Sequence, residues 1–317
     1  MKTYTLENKQ LKIEIASLGG TILSFIDKSD NTDIVLGFKT VEEYPNNGYF
    51  FGAMIGRHTN RIANGKYQLN GVEYQMEINN GPNNLHSGTD TFAFKEFEEE
   101  YYENNKLVLT YHSKDMESGF PGNLTFICIY ELKDNKLSIN FSGTSDKDTI
   151  FNVTNHSYFN LGEETILNHE LYVPTNKLCL DDENGMASDE IIDVTNTSFD
   201  FTEYKKIKDN FDLKHHNLVA GGIDHNYVYE NFDKKLVAKL RNAKRELTIY
   251  SDLPDLQVYT ACGFDLVDGK KRYPQYGGVA LEPQFAPNAI NYDKFIKPIL
   301  KKNETKAYSI EYVLERR

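Results

Sequence analysis

Between residues 124 and 132 the chain places Leu124, Phe126, Cys128, Tyr130 and Leu132 at every second position, a period that only an extended strand brings to one face. The turn Lys133-Asp134-Asn135-Lys136 returns the chain into Leu137, Ile139 and Phe141, which keep the same period. Ile127 and Ile129 make the opposite face of the first strand apolar too. A strand with two apolar faces implies sheets packed on sheets, not one sheet open to water.

The pattern recurs. Leu11-Lys12-Ile13-Glu14-Ile15 alternates as a half-buried strand does. Residues 66–69 and 72–76 flank Asn70-Gly71, a dipeptide suited to the positive φ of a type I′ hairpin turn. Residues 107–111 form another strand candidate, and 236–240 with 246–250 flank Asn242 as a further hairpin. Helical periodicity is scarce; 202–211 is the one short candidate. The acidic stretch 181–193 is expected as a surface loop, and it fails the calcium-loop template because Leu180 falls at the first ligand position. With no βαβ alternation, fixed-period repeat or linker, the expectation is all-β: one large antiparallel β-sandwich forming a single domain over 1–317. Large all-β folds of this length as one domain are ordinary.

A net charge of −12 argues against nucleic-acid binding, which needs basic surface to displace counterions, and against anionic membranes. A small, neutral ligand suits this surface better. Cys128, Cys179 and Cys262 are too few and scattered for a disulfide framework. Residues 1–7 contain no apolar run of signal-peptide length, so a reducing cytoplasm is expected. The eight histidines include no His-Glu-x-x-His, and the neighbours His215 and His216 would point apart if on a strand, so no metal site is expected. Phosphate-cradling glycine loops and a Gly-x-Ser-x-Gly elbow are also missing.

Four polar clusters remain: 56–62 with Arg57, Asn60 and Arg61; 83–88 with His86; 152–161 with His156; and 278–284, where Glu282 closes an apolar run before Pro283. A partly desolvated Glu282 gains basicity, but it is equally a strand-end carboxylate facing water. Taken alone, His156 reads more readily as a hydrogen-bonded core imidazole than as a catalyst, and Arg57 and Arg61 as ion-paired structure.

Together, in this order, the clusters resemble the aldose 1-epimerase family, specifically galactose mutarotases, through essentially the whole chain. The resemblance is carried by Gly56-Arg57 with Asn60-Arg61-Ile62, by residues 79–86, by 154–161, and by Phe199-Asp200-Phe201. It continues in Asp224-His225-Asn226, Gln257-Val258-Tyr259-Thr260 and Leu281-Glu282-Pro283-Gln284. It implies an outsized β-sandwich with a hexose in a cleft and no cofactor. It also implies that His156 is the general acid at the ring oxygen and Glu282 the base at the C1 hydroxyl. His86 would bond near the ring oxygen and C1, while Asn60, Arg61, Asp224 and Gln257 hold hydroxyls. The partner implied is a small hexose, the protein being a monomer or homodimer.

The chemistry suits those residue types. Opening a hemiacetal ring requires a proton delivered to the ring oxygen as another leaves the anomeric hydroxyl. Rotation about C1–C2 and reclosure then give the other anomer, with no electrophilic metal required. Asp224, which only accepts, suits hydroxyl donors; Arg61 and Gln257 suit hydroxyl oxygens. The chain departs from the family pattern in three places: Ser87, Ala187-Ser188-Asp189 and Ala261-Cys262. With no Trp, stacking on the sugar falls to Tyr or Phe, with Phe285 a candidate that is equally plausible as core. The alternatives are a hexose-6-phosphate epimerase, which needs extra basic residues at the cleft, and a non-catalytic sugar sensor. A glycoside hydrolase using Asp224 with Glu282 is a weaker third.

Overall fold

The computed structural model describes residues 1–45, 48–182, 186–210, 221–229 and 231–317. Its described residues form strands joined by loops and 3-10 turns, with no α-helix among them. The alternation at 124–132 becomes the strand Leu124–Lys133, whose even positions are buried. It pairs with Lys136–Ser145 in continuous antiparallel register, from Leu124 opposite Ser145 to Lys133 opposite Lys136. Asn70 and Gly71 both take positive φ, +52° and +77°, between Lys66–Leu69 and Val72–Gln75, as a type I′ turn requires.

Three sheets dominate. The largest has nine strands, in the order Glu98–Glu103, Lys106–Ser113, Leu124–Lys133, Lys136–Ser145, Thr305–Arg316, Arg245–Ser251, Lys235–Arg241, Glu170–Tyr172 and Lys205–Lys206. Thr305–Arg316 thus joins two groups of strands that are far apart in the chain. A six-stranded sheet runs Tyr158–Phe159, Val279–Gln284, Asp255–Tyr259, Asp224–Val228, Lys177–Asp181 and Ala187–Asp193. A smaller four-stranded sheet is built from residues 3–33. One apolar core takes Ile13 and Phe25 from the small sheet, Phe126, Ile139 and Ile310 from the large one, and Val258 and Leu281 from the third. Sheets pack on sheets through the even face of Leu124–Lys133, while Ile127 and Ile129 on its other face are only half-buried.

Two local expectations change. The 202–211 candidate is a 3-10 turn over Ile207–Asn210, and residue 211 lies outside the described residues. The acidic stretch 181–193 is not simply a surface loop: Asp181 is buried and pairs with Ala187, whose strand Ala187–Asp193 edges the six-stranded sheet. Ala187 and the half-buried Ile191 pack against Cys179 and Val228, and that apolar edge recruits the segment into a strand. Residues 183–185 of this stretch, like His215 and His216, lie outside the described residues.

Candidate active site

Strand alternation in the six-stranded sheet sorts its side chains. Val279 and Leu281 turn into the core, so Glu282 turns to the other face; Leu256 and Val258 do the same, and Gln257 and Tyr259 turn with Glu282. Gln257 stands directly opposite Glu282 on one side and opposite Asn226 on the other. Asp224, two residues before Asn226, therefore shares their face. One acceptor oxygen of Asp224 receives the Gln257 amide at 2.7 Å, and the other lies 3.7 Å from an Arg61 Nη1.

His156 arrives from the opposite direction, and its backbone is bonded on both sides. Its N–H donates to Ala53 O at 2.9 Å, and its carbonyl accepts from Gly52 N at 3.0 Å. Asn155 Nδ2 donates to Gly52 O at 2.8 Å, while Asn155 Oδ1 accepts from Ser157 and Tyr312. The same segment is stitched to the strand bearing Glu282: Thr154 Oγ1 donates to Pro283 O at 2.7 Å, and Asn152 Oδ1 accepts from Phe285 N. These bonds bring His156 Nε2 to 3.6 Å from Glu282 Oε2. Both side chains are at most 5% exposed.

Asn60, Arg61 and His86 come from a smaller motif. Arg61–Ile62 pairs with Asn84–Leu85. His86 N–H donates to Asn60 O at 3.1 Å, and Asn60 N–H donates back to His86 Nδ1 at 3.0 Å. An accepting Nδ1 leaves the His86 proton on Nε2. Arg61 Nε donates to Asn80 Oδ1 at 3.0 Å, which aims the guanidinium. Ser87, at φ +68°, has a hydroxyl that accepts from His58 N and donates to His58 O, both at 2.9 Å.

All seven expected site residues, His156, Glu282, Asn60, Arg61, His86, Asp224 and Gln257, line one cavity of about 340 Å³. That size lies near the lower end of ligand pockets, roughly 300–1,000 Å³. Sequence reasoning missed its aromatic wall. Phe50 packs 5.0 Å from the His86 ring and 6.0 Å from His156, and Tyr158 lies 5.0 Å from His156 and 5.3 Å from Phe264. Phe285 is a core residue, wholly buried against Tyr308 and Phe232, so it is not a stacking partner. Arg57 is likewise structural: its buried guanidinium bonds Ser113 Oγ and the carbonyls of Ser113, Lys114 and Pro121.

Burial dominates the site's electrostatics. It lowers His156 to about 4, and it raises Glu282 well above the carboxylate range with help from the charge of Asp224. His86 is pushed well down by burial first, then by His156 and Arg61. Between the acid and alkaline extremes the His156–Glu282 pair therefore holds one proton, and burial favours its place on the carboxyl. Moving it to the imidazole creates an ion pair that is neutral overall. Such a pair can give a proton to one oxygen of a ligand while taking one from another. Among the described residues, no three His, Cys, Asp or Glu side chains cluster as metal ligands, and no helix is long and apolar enough to cross a membrane.

A family profile described as aldose 1-epimerase matches residues 2–313. The chain is 34% identical to the galactose mutarotase of Sus scrofa, covering 96% of this chain and 91% of the relative. It is 33% identical to the aldose 1-epimerase of Escherichia coli K12, covering 94% and 90%. Among solved structures it is similar to an aldose epimerase homologue from C. elegans, with a TM-score of 0.92 at 26% identity over 99% of both chains. A galactose 1-epimerase from Lactobacillus acidophilus superposes with a TM-score of 0.87 at 25% identity, covering 98% of this chain and 93% of that one.

Proposed function

The chain belongs to the aldose 1-epimerase family and is an isomerase of the mutarotase type; from that premise we propose that His156 and Glu282 exchange the protons that open and reclose a hexose ring. The observation that carries this reading is the 3.6 Å approach of two buried, oppositely ionising groups on the wall of a cavity rich in hydroxyl partners. His156 delivers a proton to the ring oxygen as Glu282 takes the proton of the C1 hydroxyl. The ring opens to the aldehyde, C1–C2 rotates, and reclosure runs the same transfers backward. Atoms and charge balance at each stage, because the pair gives one proton and receives one.

Asp224 accepts from sugar hydroxyls while Gln257 and Arg61 hold it and bond hydroxyl oxygens; Asn60 and the Nε2–H of His86 serve the anomeric end. The substrates are galactose and glucose in unphosphorylated form. Arg61 is the one Lys or Arg on the described cavity wall, and it already faces Asp224. Arg57 is committed to buried carbonyls, and Lys66 pairs with Glu73 at the surface. A phosphate would want a cation cluster there. The whole chain serves as one domain, acting in the cytoplasm as a monomer or homodimer. Polarimetry of freshly dissolved α-galactose, α-glucose and α-glucose 6-phosphate tests the reading. Acceleration of the free sugars, with the phosphate slower, is expected; preference for the phosphate, or binding without acceleration, overturns it.

A further inference from the structure

Directly behind Asp224 lies a second imidazole–carboxyl pair that the proton transfers do not use. The backbone N–H of Asp224 donates to His225 Nδ1 at 3.2 Å. A ring nitrogen that accepts carries no proton, so the His225 proton is on Nε2. That nitrogen faces Asp181, 3.7 Å from its Oδ2. His225 is 1% exposed and Asp181 6%, and the ring of Phe199 packs on the imidazole at 4.6 Å. The strand Lys177–Asp181 pairs with Asp224–Val228 through Leu178 opposite Tyr227.

We propose that Asp181 and His225 are positioning residues for Asp224, setting sugar affinity from behind the cavity wall without joining the proton transfers. The inference rests on the reading of Asp224 as an acceptor for sugar hydroxyls. A buried carboxyl resists ionising beside another that is already charged. Burial first, and the charge of Asp224 second, push Asp181 up to about 8, against the opposing pull of Arg61. Near neutrality Asp181 thus keeps its proton, and Arg61 and Gln257 attend to Asp224 alone.

Above about pH 8 Asp181 ionises. It then repels Asp224 and competes for Arg61, so the seat for the sugar loosens. Among the described residues, the charged or titratable groups facing Asp181 are His225 and Asp224 on the adjacent strand, Arg61, and its chain neighbour Asp182. Its partner on the other side is Ala187, which cannot titrate.

The test is KM and kcat for α-galactose mutarotation between pH 7 and 9, with the spontaneous rate subtracted. In wild type KM is expected to rise severalfold through about pH 8 while kcat stays level. Asp181→Asn cannot ionise, so its KM is expected to be flat over that range whatever its value at pH 7. Asp181→Ala and His225→Gln are expected to raise KM about tenfold at pH 7 with kcat within about threefold, the mark of lost binding rather than lost chemistry. A level KM in wild type, an alkaline rise that survives in Asp181→Asn, or losses carried by kcat would overturn the proposal. Asp224→Asn separates this from the premise. If that variant leaves KM unchanged, the reading of Asp224 fails; if it raises KM while the Asp181 variants behave as wild type, only the positioning role fails.

Discussion

Gln257 stands directly across the strand pair from Glu282, yet its amide donates away from Glu282, to Asp224 at 2.7 Å. Glu282 is thereby left facing His156, with Oε2 free of hydrogen bonds among the described residues. The bond divides the labour of three polar residues on one face. Gln257 and Asp224 form a pair for holding a sugar, and Glu282 is kept for moving a proton.

Removing either member of the proton-transfer pair should remove most of the rate. In optical-rotation assays of α-galactose, His156→Asn and Glu282→Gln are each expected to lose at least about 100-fold in kcat. Both substitutions are nearly isosteric, so thermal midpoints close to wild type are expected alongside. Near-normal rates in either variant would refute the acid and base roles of the pair.

The rate should be insensitive to acid until well below neutrality. Burial holds His156 at about 4, so the pair gains its second proton only as pH falls toward that value. With both groups protonated, neither can accept, and turnover stops. A kcat profile level from about pH 5 to 7 and falling below 5 is expected. A fall centred near 6.5, the ordinary imidazole value, would mean that His156 is solvated during turnover.

Gln257→Leu keeps the bulk but removes the amide that holds Asp224. One charge-assisted hydrogen bond of this kind is worth about 1.5–3 kcal/mol. KM is expected to rise at least about tenfold, with a smaller change in kcat. An unchanged KM would place the sugar elsewhere on the wall.

Ser87 holds a left-handed conformation that glycine takes without strain, and its hydroxyl makes two hydrogen bonds to the backbone of His58. Ser87→Gly loses about 1 kcal/mol for each bond but regains about 1 kcal/mol of backbone strain. Ser87→Ala loses the bonds and keeps the strain. Urea midpoints are expected in the order wild type, Ser87→Gly, Ser87→Ala; an Ala variant as stable as wild type would show that the hydroxyl contributes nothing.

The two-residue period at 124–132 and the Asn70-Gly71 turn were legible because each depends on neighbours in the chain. The site was legible through its polar clusters and their family resemblance, since His156 and Glu282 lie 126 positions apart and no local rule joins them. The aromatic wall escaped notice for a physical reason. With 21 Tyr and 19 Phe in a β-sandwich, Phe50, Tyr158 and Phe264 look like any other core ring until the sheets are placed. Asp181 was hidden differently: within an acidic run it reads as solvated, and only the pairing with Ala187 buries it.

The strand Thr305–Arg316 lies in the middle of the nine-stranded sheet, between Lys136–Ser145 and Arg245–Ser251. On a translating ribosome, both of those neighbours emerge long before the segment that must join them. Each waits with an open edge, able to pair with another nascent chain. A premature stop between residues 252 and 304 would leave both edges uncapped, turning a modest truncation into an aggregating product rather than a weakened enzyme.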